Sequence, residues 1–122
     1  MMNEDGRRDE IGEELAAWGK VALLQTRGRN SGRTITTAVG FDEDPDGSLL
    51  IAAGAANADW ALNLRSDPAC RATVGDDTAS YTAHELDADA AAATVVRLIL
   101  KYGTPAERLG RGPAFRLVRG MA

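Results

Sequence analysis

The chain has 122 residues, a formal net charge of −4 and a single cysteine. This length predicts one domain with a modest core, and the charge excludes a general electrostatic attraction to nucleic acid. One cysteine excludes an internal disulfide and fits a reducing compartment. No run approaches the roughly 18 apolar residues of a membrane span, and residues 1–20 are too acidic for a signal peptide. We therefore expect a cytoplasmic protein without stable membrane insertion.

The N-terminal third predicts a short helix and two strands. Residues 1–8 are polar and expected to be disordered, so the folded domain is expected to span 9–122. Ile11, Leu15 and Trp18 form one apolar stripe, which predicts a helix from Asp9 to Gly19. Apolar runs then predict strands over about 20–27 and 33–41.

The loop between these two strands is rich in arginine and glycine. It contains Arg27, Gly28, Arg29, Asn30, Ser31, Gly32 and Arg33. Glycines let backbone N–H groups converge and arginines supply fixed donor forks, so the loop could hold a phosphate or carboxylate. The alternative is a well-made hairpin turn without a ligand, since Asn-Ser-Gly is good turn chemistry.

The rest of the chain is predicted to contain strands, turns and three further helices. We predict a turn over 42–47, a strand over 48–53, a small-residue loop over 54–58 and a short helix over 59–65. Strands follow over 69–75 and 78–86, with Cys70, Ala72, Val74 and Ala79, Tyr81, Ala83 on their buried faces. Asp87 caps a helix that ends at Gly103, with Ala92, Val95, Ile99 and Tyr102 inward and Val96 beside them. A capping box at Thr104–Glu107 predicts another short helix, and 113–119 a last strand.

Hairpins dominate this order of elements. It predicts a mainly β, antiparallel, single-domain fold with flanking helices, in which the sheet closes into a small barrel.

The sequence lacks the residues that several kinds of catalytic and metal-binding sites require. The single histidine, His84, argues against a histidine zinc site or a histidine-activated nucleophile and is interpreted as structural. Cys70 is interpreted as a small core residue. The acidic run from Asp42 to Gly47 imitates the start of a calcium loop, but Ala53 stands where its glutamate should be, so we predict a solvated turn and no metal site. An enzyme with this sequence would need a bound cofactor.

The order of three motifs identifies a family. The run Gly28-Arg-Asn-Ser-Gly-Arg-Thr34 is followed by Leu49-Leu-Ile-Ala-Ala53 entering a Gly/Ala loop, and then by Asp59-Trp-Ala-Leu-Asn-Leu-Arg-Ser-Asp-Pro68. This set resembles the deazaflavin (F420)-dependent nitroreductase and quinone reductase family. The likeness spans about 20–86 and implies a split β-barrel, which agrees with the fold predicted above.

The resemblance also implies a cofactor site. F420 carries a flat deazaflavin ring and a tail of one phosphate followed by glutamates. Gly28, Arg29, Asn30, Ser31, Gly32 and Arg33 would meet the phosphate and acidic tail. Ala52, Ala53, Gly54 and Ala55 would lie along the ring, and Asp59, Trp60, Ala61, Leu62 and Asn63 would close the pocket. Trp60 has an alternative interpretation as a core anchor of its helix.

The implied activity is hydride transfer from reduced F420 to a small acceptor such as a quinone, a nitro compound or an activated alkene, in a possible homodimer. No catalytic side chain is identified. The chain departs from the family pattern at Ile35-Thr36-Thr37, where a Pro-Leu pair is common, and in a shortened loop after the third strand. The alternatives are an FMN-binding oxidoreductase on the same barrel, a non-catalytic F420 carrier, and a barrel without a cofactor.

Overall fold

The computed structural model describes residues 20–103, 109 and 112–119. The segment 1–8, the helix predicted from Asp9 to Gly19 and the capping box at 104–107 lie outside these residues.

Seven strands and two helices make up the described part of the chain. The strands are β1 (Ala22–Arg27), β2 (Thr34–Val39), β3 (Asp42–Glu43), β4 (Leu49–Ala52), β5 (Ala69–Val74), β6 (Asp77–Glu85) and β7 (Ala114–Arg119). The helices are α1 (Asp59–Ser66) and α2 (Ala88–Tyr102). The two-residue strand β3 falls where the sequence predicted only a turn.

The strands form one antiparallel sheet in the order β2-β1-β5-β6-β7-β4-β3. The sheet curls into a half-barrel. The barrel stays open because β2 and β3 lie at its two edges and do not pair with each other in the described structure. The predicted fold class, an antiparallel split barrel with flanking helices, is confirmed.

One face of the sheet packs against α1. The predicted alternation of β5 and β6 is confirmed, since Cys70, Ala72, Tyr81 and Ala83 are buried with the main core. The helix contributes its own apolar residues to this core, including Trp60, Ala61 and Leu64. Packing against the sheet, rather than the weak propensity of an eight-residue helix, therefore holds α1 in place.

The second helix covers the other face of the sheet at β4 and β7. Ala52 and Ala114 lie opposite each other on these strands and pack under Leu98 of α2. Strand β4 is buried along its whole length because both of its faces are covered. Asp87 caps α2 by accepting a hydrogen bond from the Ala90 N–H at 2.9 Å, as predicted.

The inward stripe of α2 differs from the predicted one. Thr94 and Leu98 are its buried residues, whereas Ala92 is exposed and Val96 is 56% exposed. Val95, Ile99 and Tyr102 are half-buried against the small cluster around Leu98. The helix carries more apolar residues than one face can bury, so sequence periodicity alone did not give the correct phase.

The acidic turn after β3 is held by arginines. Asp44 forms ion pairs with Arg97 of α2, at 2.5 Å, and with Arg116 of β7. Asp42 also binds Arg97, at 2.6 Å. The residues after β3 form a turn, as predicted, but the carboxylates of Asp42 and Asp44 hold α2 to the sheet instead of facing water alone.

Candidate cofactor site

The arginine-rich loop between β1 and β2 is a compact turn. The Gly28 N–H donates to the Arg33 carbonyl at 2.7 Å, and the Gly32 N–H donates to the Gly28 carbonyl at 2.8 Å. Gly32 has a φ of +73°, a conformation that residues with a Cβ adopt at a cost. The Ser31 hydroxyl accepts from the Arg33 N–H at 3.1 Å. We call residues 28–33 the arginine tip.

Arg29 fastens the arginine tip to α1. Its backbone N–H donates to Asn63 Oδ1 at 3.2 Å, and its Nη1 donates to the same oxygen at 2.8 Å. Nη1 also reaches the Asp59 carbonyl at 3.4 Å, and Nη2 pairs with Asp59 Oδ1 at 3.2 Å. The structure therefore brings together Arg29, Asp59 and Asn63, which the sequence analysis assigned to two different parts of one pocket.

Asn63 is the buried member of this group. Its side chain is 2% exposed, and its Nδ2 donates to the hydroxyl of Thr26 at 3.2 Å. Thr26 is equally buried, on the inner face of β1. Buried polar groups that find partners on both sides fix a local geometry, because leaving either unpaired is costly.

The arginine tip retains donors for an anion. In the described part of the chain, nothing accepts a hydrogen bond from the backbone N–H of Asn30 or Ser31, and no carboxylate pairs with Arg27 or Arg33. Asn30, Ser31 and the neighbouring Arg27 border a polar cleft of about 480 Å³ that Ser66 and Asp67 also line, whereas Arg33 is not part of its lining. The Asp67 carboxylate is itself engaged, since it accepts the Ala69 N–H at 3.1 Å. The cleft suits a phosphate or carboxylate.

The small-residue loop after β4 is buried at its start and exposed afterwards. Ala52 and Ala53 are 6% and 1% exposed, and the Ala53 N–H donates to the Pro113 carbonyl at 2.9 Å. Gly54 and Ala55 are exposed. Of the four residues assigned to the ring, only these last two present an accessible surface in this structure.

The next three assigned residues lie on α1. Trp60 is 9% exposed, and its ring packs on Phe115 with centroids 5.9 Å apart and planes at 58°. Ala61 is fully buried, whereas Leu62 is half-buried. This placement matches the interpretation of Trp60 as a core anchor, and it leaves little of the residue accessible to a ligand.

The structure contains a second, apolar cleft that the sequence analysis did not predict. It has a volume of about 570 Å³ and lies between the small-residue loop, α2 and the start of β7. The residues that line it include Ala56, Arg65, Leu86, Ala91, Val95 and Pro113. Arg65 is bound by Glu85 through two hydrogen bonds of 2.8 and 2.7 Å, so its charge is compensated. The lining residues come from separate segments between positions 56 and 114, so no single local motif could have revealed the cleft.

Other groups in the described structure offer no alternative chemistry. Burial raises the pKa of the Cys70 thiol to about 12, so the thiolate is not available near neutral pH. Within these residues no group of three or more histidine, cysteine, aspartate or glutamate side chains could hold a metal ion. Neither described helix has the length and apolar character needed to cross a membrane.

Solved structures with the same fold include proteins of different kinds. An F420-H2-dependent reductase, FDR-A, gives a TM-score of 0.66 at 20% sequence identity, over 80% of this chain and 93% of that one. HutZ, a heme storage protein from Vibrio cholerae, gives 0.67 at 20% identity, over 93% and 90%. A structure described as a domain-swapped dimer gives 0.66 at 19% identity, over 94% and 98%. At such identities the likeness establishes the fold only.

Comparison of the sequence with family models is more specific than the structural likeness. No curated protein matches the sequence, but residues 2–109 match the model of the family described as F420H(2)-dependent quinone reductase. This match covers the arginine tip, the small-residue loop and α1, which are the three motifs that carried the resemblance. The chain therefore belongs to the F420H(2)-dependent quinone reductase family.

Proposed function

We propose that this protein binds F420 and transfers hydride from the reduced cofactor to a small acceptor such as a quinone, a nitro compound or an activated alkene. Family membership supports the cofactor. The observation that carries the proposal is the arginine tip, a cationic loop fastened to α1 in a chain of net charge −4. When bound, the deazaflavin supplies the hydride; the residues of this chain bind and orient it.

The arginine tip fits the phosphate and glutamates of the tail. In the described structure the backbone N–H groups of Asn30 and Ser31 have no acceptor, and Arg27 lines the same cleft. Together with the guanidinium group of Arg33, the next residue after Gly32, they can meet several negative charges at once. The charge on Arg29 is already shared with Asp59, so Arg29 contributes mainly by holding the loop in place. We therefore propose Gly28, Asn30, Ser31, Gly32 and Arg33 as direct contacts.

The small-residue loop fits one face of a flat ring. Gly54 and Ala55 are exposed, and in the described structure nothing accepts a hydrogen bond from their backbone N–H groups. Ala58, the N-cap of α1, makes no side-chain cap hydrogen bond, which leaves further N–H donors beside the loop. A ring placed here would have polar atoms within reach of these donors and small side chains beneath it.

Binding titrations distinguish the cofactors. The tail of F420 carries more negative charge than the single phosphate of FMN, so F420 should bind more tightly at low salt and the difference should narrow as salt rises. Arg33→Gln should weaken F420 binding more than Arg119→Gln, a control that removes one positive charge elsewhere on the sheet. Tighter binding of FMN at low salt would favour the FMN-dependent alternative. The fold alone does not decide, because HutZ shares it.

Turnover distinguishes an enzyme from a carrier. Protein mixed with reduced F420 and a small quinone should oxidise the cofactor over many cycles, followed by the absorbance of oxidised F420. Nitro compounds and activated alkenes complete the panel of acceptors. Tight binding of F420 without turnover of any acceptor would replace the reductase with a carrier and leave the cofactor assignment intact.

We also propose a cytoplasmic homodimer. A structural neighbour is described as a domain-swapped dimer, and β2 leaves one edge of the sheet without a partner strand in the described structure. Light scattering at two protein concentrations tests the assembly, and a monomer mass at both would overturn it.

A further inference from the structure

A chain of three polar side chains crosses from the core to the arginine tip. Thr26 accepts from Asn63 Nδ2, and Asn63 Oδ1 accepts both the backbone N–H and the guanidinium of Arg29. Thr26 and Asn63 are each 2% exposed, so neither has surface to offer a ligand. No buried side-chain polar atom in the described structure lacks a partner, and this chain is therefore fully satisfied.

We infer that Asn63, backed by Thr26, is a positioning residue for the anionic part of the cofactor: it acts through Arg29 and does not touch the ligand. This inference rests on the proposed function. Arg29 immediately precedes Asn30 and Ser31, whose N–H groups have no acceptor among the described residues. The hydrogen bond from the Arg29 N–H to Asn63 therefore fixes the Gly28–Arg29 peptide group, immediately before the peptide that carries the first of those donors.

The tip needs such an anchor because of its place in the sheet. It joins β1 to β2, and β1 is the only described strand with which β2 pairs. Among the tip residues in the described structure, only Arg29 forms hydrogen bonds with α1. Without them the turn could pivot about Gly28 and Gly32, and its donors would have to be ordered when the ligand binds.

The test measures two ligands on matched variants. The ligands are F420 and the deazaflavin riboside, which has the ring but neither phosphate nor tail. Thr26→Val keeps the shape of the side chain and removes the hydroxyl, Thr26→Ser restores a hydroxyl, and Asn63→Leu removes the whole anchor. Urea unfolding of each variant confirms that the protein remains folded under the binding conditions.

We expect Thr26→Val to raise the Kd of F420 by about threefold to tenfold, the equivalent of one hydrogen bond. Asn63→Leu should raise it further. The Kd of the riboside should stay within about twofold of the parent value for both variants, and Thr26→Ser should bind F420 as the parent does. A selective loss of this kind is not expected from general destabilisation, which would affect both ligands.

Equal losses for both ligands would show a merely structural role and overturn the inference. So would a Thr26→Val variant that binds F420 as tightly as the parent, even if Asn63→Leu fails to fold. If the parent protein binds no F420, the proposed function fails and this inference fails with it, whereas parental binding with unresponsive variants overturns the inference alone.

Discussion

Replacing Trp60 with alanine should first lower the stability of the fold, and only through that its activity. The side chain is 9% exposed and packs on Phe115. An aromatic residue buries roughly 150–250 Å², which at about 25 cal/mol per Å² corresponds to about 4–6 kcal/mol. Because the unfolded chain also hides some of that area, we expect the free energy of unfolding to fall by about 3–5 kcal/mol. That is a large share of the stability of a typical domain.

Urea denaturation followed by circular dichroism measures this loss. Trp60→Phe should lose less than about 2 kcal/mol because it keeps a ring against Phe115. Leu100→Ala is a control, since Leu100 is 82% exposed and its truncation should change stability by less than about 0.5 kcal/mol. A loss below about 1 kcal/mol for Trp60→Ala would refute the reasoning, because the ring would then be free to serve as a wall of the cofactor pocket.

Three further predictions concern other parts of the fold. Arg97 and then Arg116 lower the pKa of Asp44 below its usual 3.8, so Asp44 stabilises the folded state above that pH and this contribution is lost as the pH falls through the lowered value. Asp44→Asn should therefore reduce stability at pH 7, and the difference from the parent should shrink as the pH is lowered below 3.8, as measured by thermal unfolding. Cys70 should resist alkylation at pH 8 in the native protein and react readily in urea, because burial raises its pKa to about 12; rapid native labelling, detected by mass spectrometry, would contradict its burial. Gly112→Ala should destabilise the small-residue loop, since a Cβ there would lie 2.2 Å from the Ala55 carbonyl oxygen, and unchanged thermal stability would contradict that close approach.

Local sequence patterns predicted most of the strands and helices. Alternation around Cys70 and Tyr81 predicted the inner faces of β5 and β6, and Asp87 and Gly103 marked the ends of α2. These signals depend on neighbouring residues in the chain, and the structure confirms them. The fold class followed from the succession of hairpins, since antiparallel strands can be joined by short turns, whereas the pairings of β1 with β5 and of β4 with β7 join strands that are distant in the chain.

Contacts between distant residues could not be predicted in the same way. Thr94 and Leu98, rather than Val96, are the buried residues of α2 because the position of the sheet selects one of several apolar stripes. Arg97 holds Asp42, 55 residues away in the chain, and Asn63 holds Arg29, 34 residues away. The motifs assigned Asn63 to the cofactor pocket, but only the fold shows that it is buried and binds Arg29 of a neighbouring loop.

The short helix α1 links ligand binding to the lifetime of the protein in the cell. It is joined to the core through Trp60 and to the arginine tip through Asn63, so a ligand held at the tip stabilises the same element that closes the core. Ligand at one hundred times its Kd adds about 2.7 kcal/mol to the stability of any protein that binds it only when folded. Proteases degrade the unfolded fraction, so the ligand-bound form would persist longer than the free form. The amount of this protein would then follow the supply of its cofactor without any change in its synthesis.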